Sequence, residues 1–110
     1  IQTHIHLCQT LFRGRADDLP LMRWLRTRIW PLEAAHTPRT LAASARLSAT
    51  ELLLSGTTAV LTMETVHETE AVCEAVAATG LRATIGKCMM DAAAEGVPGR
   101  LRESSQASID

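Results

Sequence analysis

His4 and His6 are the residues whose type and spacing most directly carry chemistry. Residues two apart on an extended strand project from one face, so two imidazoles at this spacing converge on a single ion. Imidazole suits zinc or iron, and nickel and copper are also accommodated. The pair is not sufficient by itself. A catalytic zinc site takes three protein ligands and keeps a position for water or substrate, and one hydrogen-bonded histidine beside an exposed one would give the same sequence. Position adds weight, because the pair closes the first candidate strand just before a long loop, where parallel α/β proteins gather their active-site residues. His67, on the loop after the second candidate strand, shares that rim and is read as pocket-lining. His36 precedes a helix N-cap and is read as a surface residue.

Periodicity gives the strands and helices that carry these side chains. Residues 1–7 alternate with period two, setting Ile1, Thr3, Ile5 and Leu7 on one face and Gln2, His4 and His6 on the other. Residues 8–18, with Gly14 and a charge cluster of Arg13, Arg15, Asp17 and Asp18, lack a period and read as a long loop. Leu21, Leu25, Arg28 and Ile29 have helical spacing, with Pro20 in the first turn and Pro31 as the expected stop. Thr37 as N-cap and Pro38 at the first helical position open a second helix, whose stripe of Leu41, Ala45, Ala49, Leu52 and Leu53 runs until Gly56. Residues 57–63 are rich in β-branched types and read as a strand buried on both faces. A helix over 68–79 buries Ala71, Val72, Ala75 and Val76 and closes on Gly80. A third strand follows at 81–88, then a loop over 89–99 and the opening turns of another helix. This order is the alternation of a parallel α/β sheet.

Composition narrows the function classes. Of 110 residues, 46% are hydrophobic and 21% charged, enough apolar mass for one core. The formal net charge of -1 offers no electrostatic footprint for nucleic acid or an anionic membrane, and no apolar run approaches the ~20 residues of a membrane span. The start also lacks a signal-peptide pattern, so a cytoplasmic protein is expected, and Cys8, Cys73 and Cys88, odd in number and without a CxxC spacing, fit reduced thiols better than a disulfide frame or a zinc knuckle. The sequence starts at Ile1 in strand-like residues and stops at Asp110 in helix-like ones, so it reads as incomplete at both ends. Trp24, Trp30, Phe12 and Leu21 read as a packing surface rather than a base-stacking platform, and Met63, Met89 and Met90 as gap fillers that could line a pocket.

The run Thr-His-Ile-His-Leu-Cys-Gln-Thr-Leu-Phe-Arg-Gly-Arg-Ala-Asp-Asp-Leu-Pro-Leu-Met-Arg-Trp-Leu, with Ile-Trp-Pro-Leu-Glu-Ala and Ser-Gly-Thr-Thr-Ala after it, resembles the amidohydrolase superfamily in its nucleoside and nucleobase deaminase and chlorohydrolase branch. Adenosine-type deaminases acting on deoxyadenosine, methylthioadenosine or S-adenosylhomocysteine are the nearest in pattern. Gly86-Lys87-Cys88-Met89-Met90-Asp91 is similar to guanine deaminases. The resemblance implies the first three βα units of a (β/α)8 TIM-type barrel over residues 1–110. His4 and His6 match first-strand metal ligands, and two further histidines, an aspartate and a proton-shuttling glutamate would lie beyond Asp110. No catalytic acid or base is therefore expected within the segment.

The resemblance also assigns substrate contacts. Gln9 matches a glutamine that reads the substrate ring, a task an amide suits because it both donates and accepts. Glu33 matches a glutamate that grips ribose hydroxyls, and Lys87 a cationic position near the substrate's distal end, where a point charge replaces a bidentate fork. The expected activity is hydrolytic deamination of an aminopurine nucleoside or nucleobase by metal-activated water, with a small heterocyclic amine as the partner molecule. Two alternatives stay open: a non-enzymatic metal-binding module, and a hydrolase that removes chloride or opens a cyclic amide. Oligomeric state is open too, a homo-oligomer included.

Overall fold

The computed structural model describes residues 1–92 and 95–109. Ala93 and Ala94, inside the loop expected over 89–99, and Asp110, at the end of the expected barrel segment, lie outside the described residues. Strands β1 (Gln2–Ile5), β2 (Ala59–Met63) and β3 (Arg82–Gly86) form one sheet in the order β1-β2-β3. Both pairings are parallel, as expected of strands joined through helices rather than hairpins. Each strand is shorter than its sequence period suggested. The alternation in β1 is also interrupted: Gln2 is opposite Val60 but Ile5 is opposite Thr62, three steps against two, which is a bulge that re-aims the strand end carrying the histidines.

Helix α3 (Pro38–Leu54) forms where its punctuation placed it. The Thr37 hydroxyl accepts from Thr40 N–H and the Thr40 hydroxyl accepts from Thr37 N–H, a capping box completed by Pro38. Its buried face is more polar than the expected stripe, since Ser44 and Ser48 are buried beside Leu41, Ala45 and Ala49. Helix α4 (Thr69–Ala77) buries Val72, Ala75 and Val76. Together α3 and α4 cover one face of the sheet, closing a core of Leu7, Leu41, Ala45, Ala49, Val60, Val72, Ala75, Val76 and Leu81.

Three expectations are corrected. The segment after β1 is not wholly irregular, because Leu7–Phe12 winds into a 3-10 helix that buries Leu7, Cys8 and Phe12. Pro31 does not stop the next helical segment. Helix α1 (Leu21–Trp24) passes through a π-helical turn (Leu25–Ile29) into α2 (Trp30–Ala34), and Trp30 N–H reaches back to Leu25 O. That wider turn lets Pro31, which has no N–H to offer, sit in the first turn of α2. Strand β2 is not buried on both faces: Val60 and Thr62 are buried, whereas Leu61 and Met63 are 48% and 52% exposed on the face without helices.

A second apolar cluster, Trp30, Val66, Val97 and Leu101 with Leu25, Cys88 and Met90 against it, draws together the segments beyond the strand ends. Helix α5 (Ser105–Ile109) ends the described chain. Among the described residues no helix is long and apolar enough to cross a membrane.

Candidate metal and substrate site

The cavity that receives the histidine pair lies where β1 and β2 end. It measures about 340 Å³ and is lined by His4, His6, Gln9, Glu33, Met63 and Glu64 on its polar side. Leu21, Trp24, Leu25, Ile29, Trp30 and Met90 form its apolar wall. Trp24 thus borders the cavity as well as packing, whereas Leu21 borders it but is largely exposed rather than packed, and Met89 is exposed too. Four sequence-derived candidates, His4, His6, Gln9 and Glu33, come together here.

The imidazoles of His4 and His6 stand edge to face with ring centroids 5.3 Å apart. His6 Nδ1 donates to the Met63 carbonyl oxygen at 2.7 Å. A carbonyl only accepts, so the proton of the neutral ring is on Nδ1 and the lone pair is on Nε2. A metal-ligating histidine needs this arrangement, with its second nitrogen donating to a fixed acceptor that sets tautomer and orientation. The pair therefore fits a divalent cation. Among the described residues no group of three or more His, Cys, Asp or Glu is arranged to hold one, so two ligands are what these residues offer.

Gln9 and Glu33 meet directly. Gln9 Nε2 donates to Glu33 Oε1 at 2.8 Å, and the Cys8 thiol approaches the same oxygen at 3.8 Å. Glu33 is half-buried, and burial pushes its carboxyl above the ordinary carboxylate value, against a smaller pull downward from the Gln9 hydrogen bond and His6. The Cys8 thiol is pushed far up, first by burial and then by the nearby Glu64 and Glu33 charges, and stays protonated. It is a donor and packing group, not a nucleophile.

His67 and Lys87 are elsewhere. They line a separate cleft with Glu103, and Lys87 Nζ is ion-paired to Glu103, which also accepts from the Ser108 hydroxyl at 2.7 Å. His36, read from sequence as a surface residue, is 7% exposed. Its ring stacks on Phe12 at a centroid distance of 5.1 Å, and its Nε2 donates to Cys8 O at 2.8 Å. Burial lowers its pKa, keeping the ring neutral. It was misread because its partners are 24 to 28 residues upstream in sequence.

Glu64 was missed altogether. It is 2% exposed and accepts from Leu7 N–H at 3.0 Å, from Cys8 N–H at 2.8 Å and from the Thr62 hydroxyl. The available signal is an acid directly after an apolar strand, on the same rim as His67.

The family profile described as Amidohydrolase family matches residues 1–110. The chain is 48% identical over 91 residues to a 5'-deoxyadenosine deaminase of Methanopyrus kandleri, covering 83% of this chain and 21% of that protein. It is 48% identical over 86 residues to a 5-methylthioadenosine/S-adenosylhomocysteine deaminase of Natronomonas pharaonis, covering 78% of this chain and 20% of that protein. Among solved structures it is similar to Escherichia coli guanine deaminase, with a TM-score of 0.81 and 29% identity, over 96% of this chain and 24% of that one. The chain spans about a fifth of the length of the curated relatives it matches.

Proposed function

The chain belongs to the amidohydrolase family, and from that premise we propose that the intact protein hydrolytically deaminates an aminopurine nucleoside or nucleobase. The observation that carries this reading is the convergence of His4, His6, Gln9 and Glu33 on one cavity, with His6 already oriented by Met63 O. The relatives' names favour an adenosine-type substrate, and the guanine deaminase likeness keeps a free nucleobase in view. We further propose that residues 1–110 are the first three βα units of a (β/α)8 barrel, in which the open sheet face with Leu61 and Met63 becomes the barrel interior.

In this reading His4 and His6 hold a divalent cation, zinc by ligand chemistry with iron as the alternative. Once bound, the cation would supply a nucleophilic water at neutral pH. Gln9 reads the edge of the heterocycle and Glu33 accepts from the ribose hydroxyls. Among the described residues Gln9 Oε1 and Glu33 Oε2 have no hydrogen-bond partner, so each can face a substrate while the other atom of its group stays tied to its neighbour. The apolar wall with Trp24 and Trp30 excludes water from the reacting carbon. Further ligands and the proton-shuttling acid come from outside the described residues. A role for Lys87 at the substrate's distal end requires the Lys87–Glu103 pair to open, and His67 lines the cleft beside that pair. Three free cysteines support a cytoplasmic location.

Ammonia release by the intact, zinc-loaded protein tests the proposal with 5'-deoxyadenosine, methylthioadenosine, adenosine and guanine, and with a chlorinated triazine as a control for dechlorination. Release from an aminopurine, lost in His4→Ala, is the expected result. A metal-loaded protein that releases none overturns it.

A further inference from the structure

We infer that Glu64 is a positioning residue for the metal-ligand and ring-reading side chains, acting through the backbone of Leu7 and Cys8. The inference rests on the reading that His4 and His6 hold a divalent cation.

The geometry is a set of consecutive grips. At the end of β2, Met63 O accepts from the His6 ring, and the next residue, Glu64, accepts from the next two amides of the neighbouring chain, Leu7 N–H and Cys8 N–H, one on each carboxylate oxygen. These two amides open the 3-10 helix, where backbone N–H groups lack partners within the helix. No local side chain caps them. The carbonyls of the same two residues are also held by side chains: Ser44 donates to Leu7 O at 2.7 Å and His36 donates to Cys8 O at 2.8 Å. Both residues between the second histidine and Gln9 thus have their amide and their carbonyl held by side chains, from β2, from α3 and from the residue before its cap.

Burying a carboxylate among apolar groups is costly unless several donors offset it. Glu64 is 2% exposed and has two amides and the Thr62 hydroxyl, but no ion pair to a described cation. A Ser, Thr or Asp within the turn could satisfy one of these amides locally. A glutamate 57 residues away also locks the end of β1 against the end of β2, and the positions of His6 Nε2 and the Gln9 amide both follow from that lock. The fold thereby holds the site before any ligand arrives, which is what metal affinity and ring recognition need.

The test uses the intact protein with Glu64→Gln, which keeps the volume but sets an NH2 against one of the two amides, and with Thr62→Val, which removes only the hydroxyl that orients the carboxylate. Three quantities are read for each: the melting temperature of the metal-free protein, the zinc dissociation constant by chelator competition, and kcat and KM with 5'-deoxyadenosine. Glu64→Gln is expected to weaken zinc binding by about 10-fold or more and to lower kcat, with a distorted Co(II) absorption spectrum. Thr62→Val is expected to weaken zinc binding severalfold with the melting temperature nearly unchanged. If Glu64→Gln does not fold, the Thr62→Val zinc constant decides alone. Folded variants whose zinc constant and kcat stay within twofold of wild type overturn the inference while leaving the deaminase reading intact. Wild-type protein that binds zinc no tighter than His4→Ala/His6→Ala overturns both.

Discussion

Gln9 Nε2 donates to Glu33 Oε1 across 2.8 Å, tying the turn after the histidine pair to helix α2. Helix α2 follows directly on the π-helical turn, with Pro31 in its first turn. The two substrate-facing groups are therefore one unit. Replacing Gln9 by Leu removes the strongest donor to a half-buried carboxylate and costs about 1–3 kcal/mol in unfolding free energy. The Gln9 hydrogen bond lowers the Glu33 pKa, so its loss pushes that pKa higher still. Denaturant titration and carboxyl NMR titration of Gln9→Leu check both effects, and an unmoved Glu33 titration would show that the contact is not made in solution.

The same carboxyl makes stability depend on pH. Burial raises the Glu33 pKa in the folded chain above its ordinary value of 4.5, so the folded state binds this proton more tightly than the unfolded one. By linkage, stability falls as pH rises from about 4.5 through the raised value. Glu33→Gln is expected to be more stable than wild type at pH 7 and to show a shallower decline across that window, while ribose-bearing substrates lose binding. Guanidinium melts at several pH values read the slope, and an unchanged slope would count against the buried charge.

Helix α3 supplies Ser44 to the turn, so its start matters to the site. Thr37→Ala removes the hydroxyl that accepts from Thr40 N–H and is expected to cost about 1 kcal/mol. Thermal unfolding of the intact protein reads the loss. A Thr37→Asn variant, which retains a capping acceptor, should recover most of it.

The face of the sheet opposite α3 and α4 carries Leu61 and Met63, 48% and 52% exposed, and among the described residues β1 is an edge strand paired only with β2. Residues 1–110 produced alone are expected to bind a hydrophobic dye and to melt without a cooperative transition, because a parallel sheet needs both faces covered. A sharp, protein-wide transition in calorimetry would contradict this and weaken the barrel proposal.

The features legible before folding are local ones. Two residues apart on a strand is a statement about backbone geometry, so His4 and His6 could be paired before any fold was known. Thr37, Pro38 and Gly56 bracket a helix through contacts within a turn of themselves. The alternation of strand and helix patterns implied a parallel sheet by the same short-range logic. Resemblance in residue pattern extended this to Gln9 and Glu33, which the folded chain brings to the same cavity.

The remaining features depend on contacts between distant segments. Burial of His36 depends on Phe12 and Cys8, and the role of Ser44 on Leu7, partners invisible to any periodicity window. The amides that Glu64 holds lie 56 and 57 residues away, beyond the reach of a local pattern. Passage of the helix through Pro31 needed a π-helical turn packed against the second cluster, which propensity alone does not specify. The physical reason is common to all of them. Propensity and capping act over a few residues, whereas a buried polar group takes its partner from whatever the fold brings beside it.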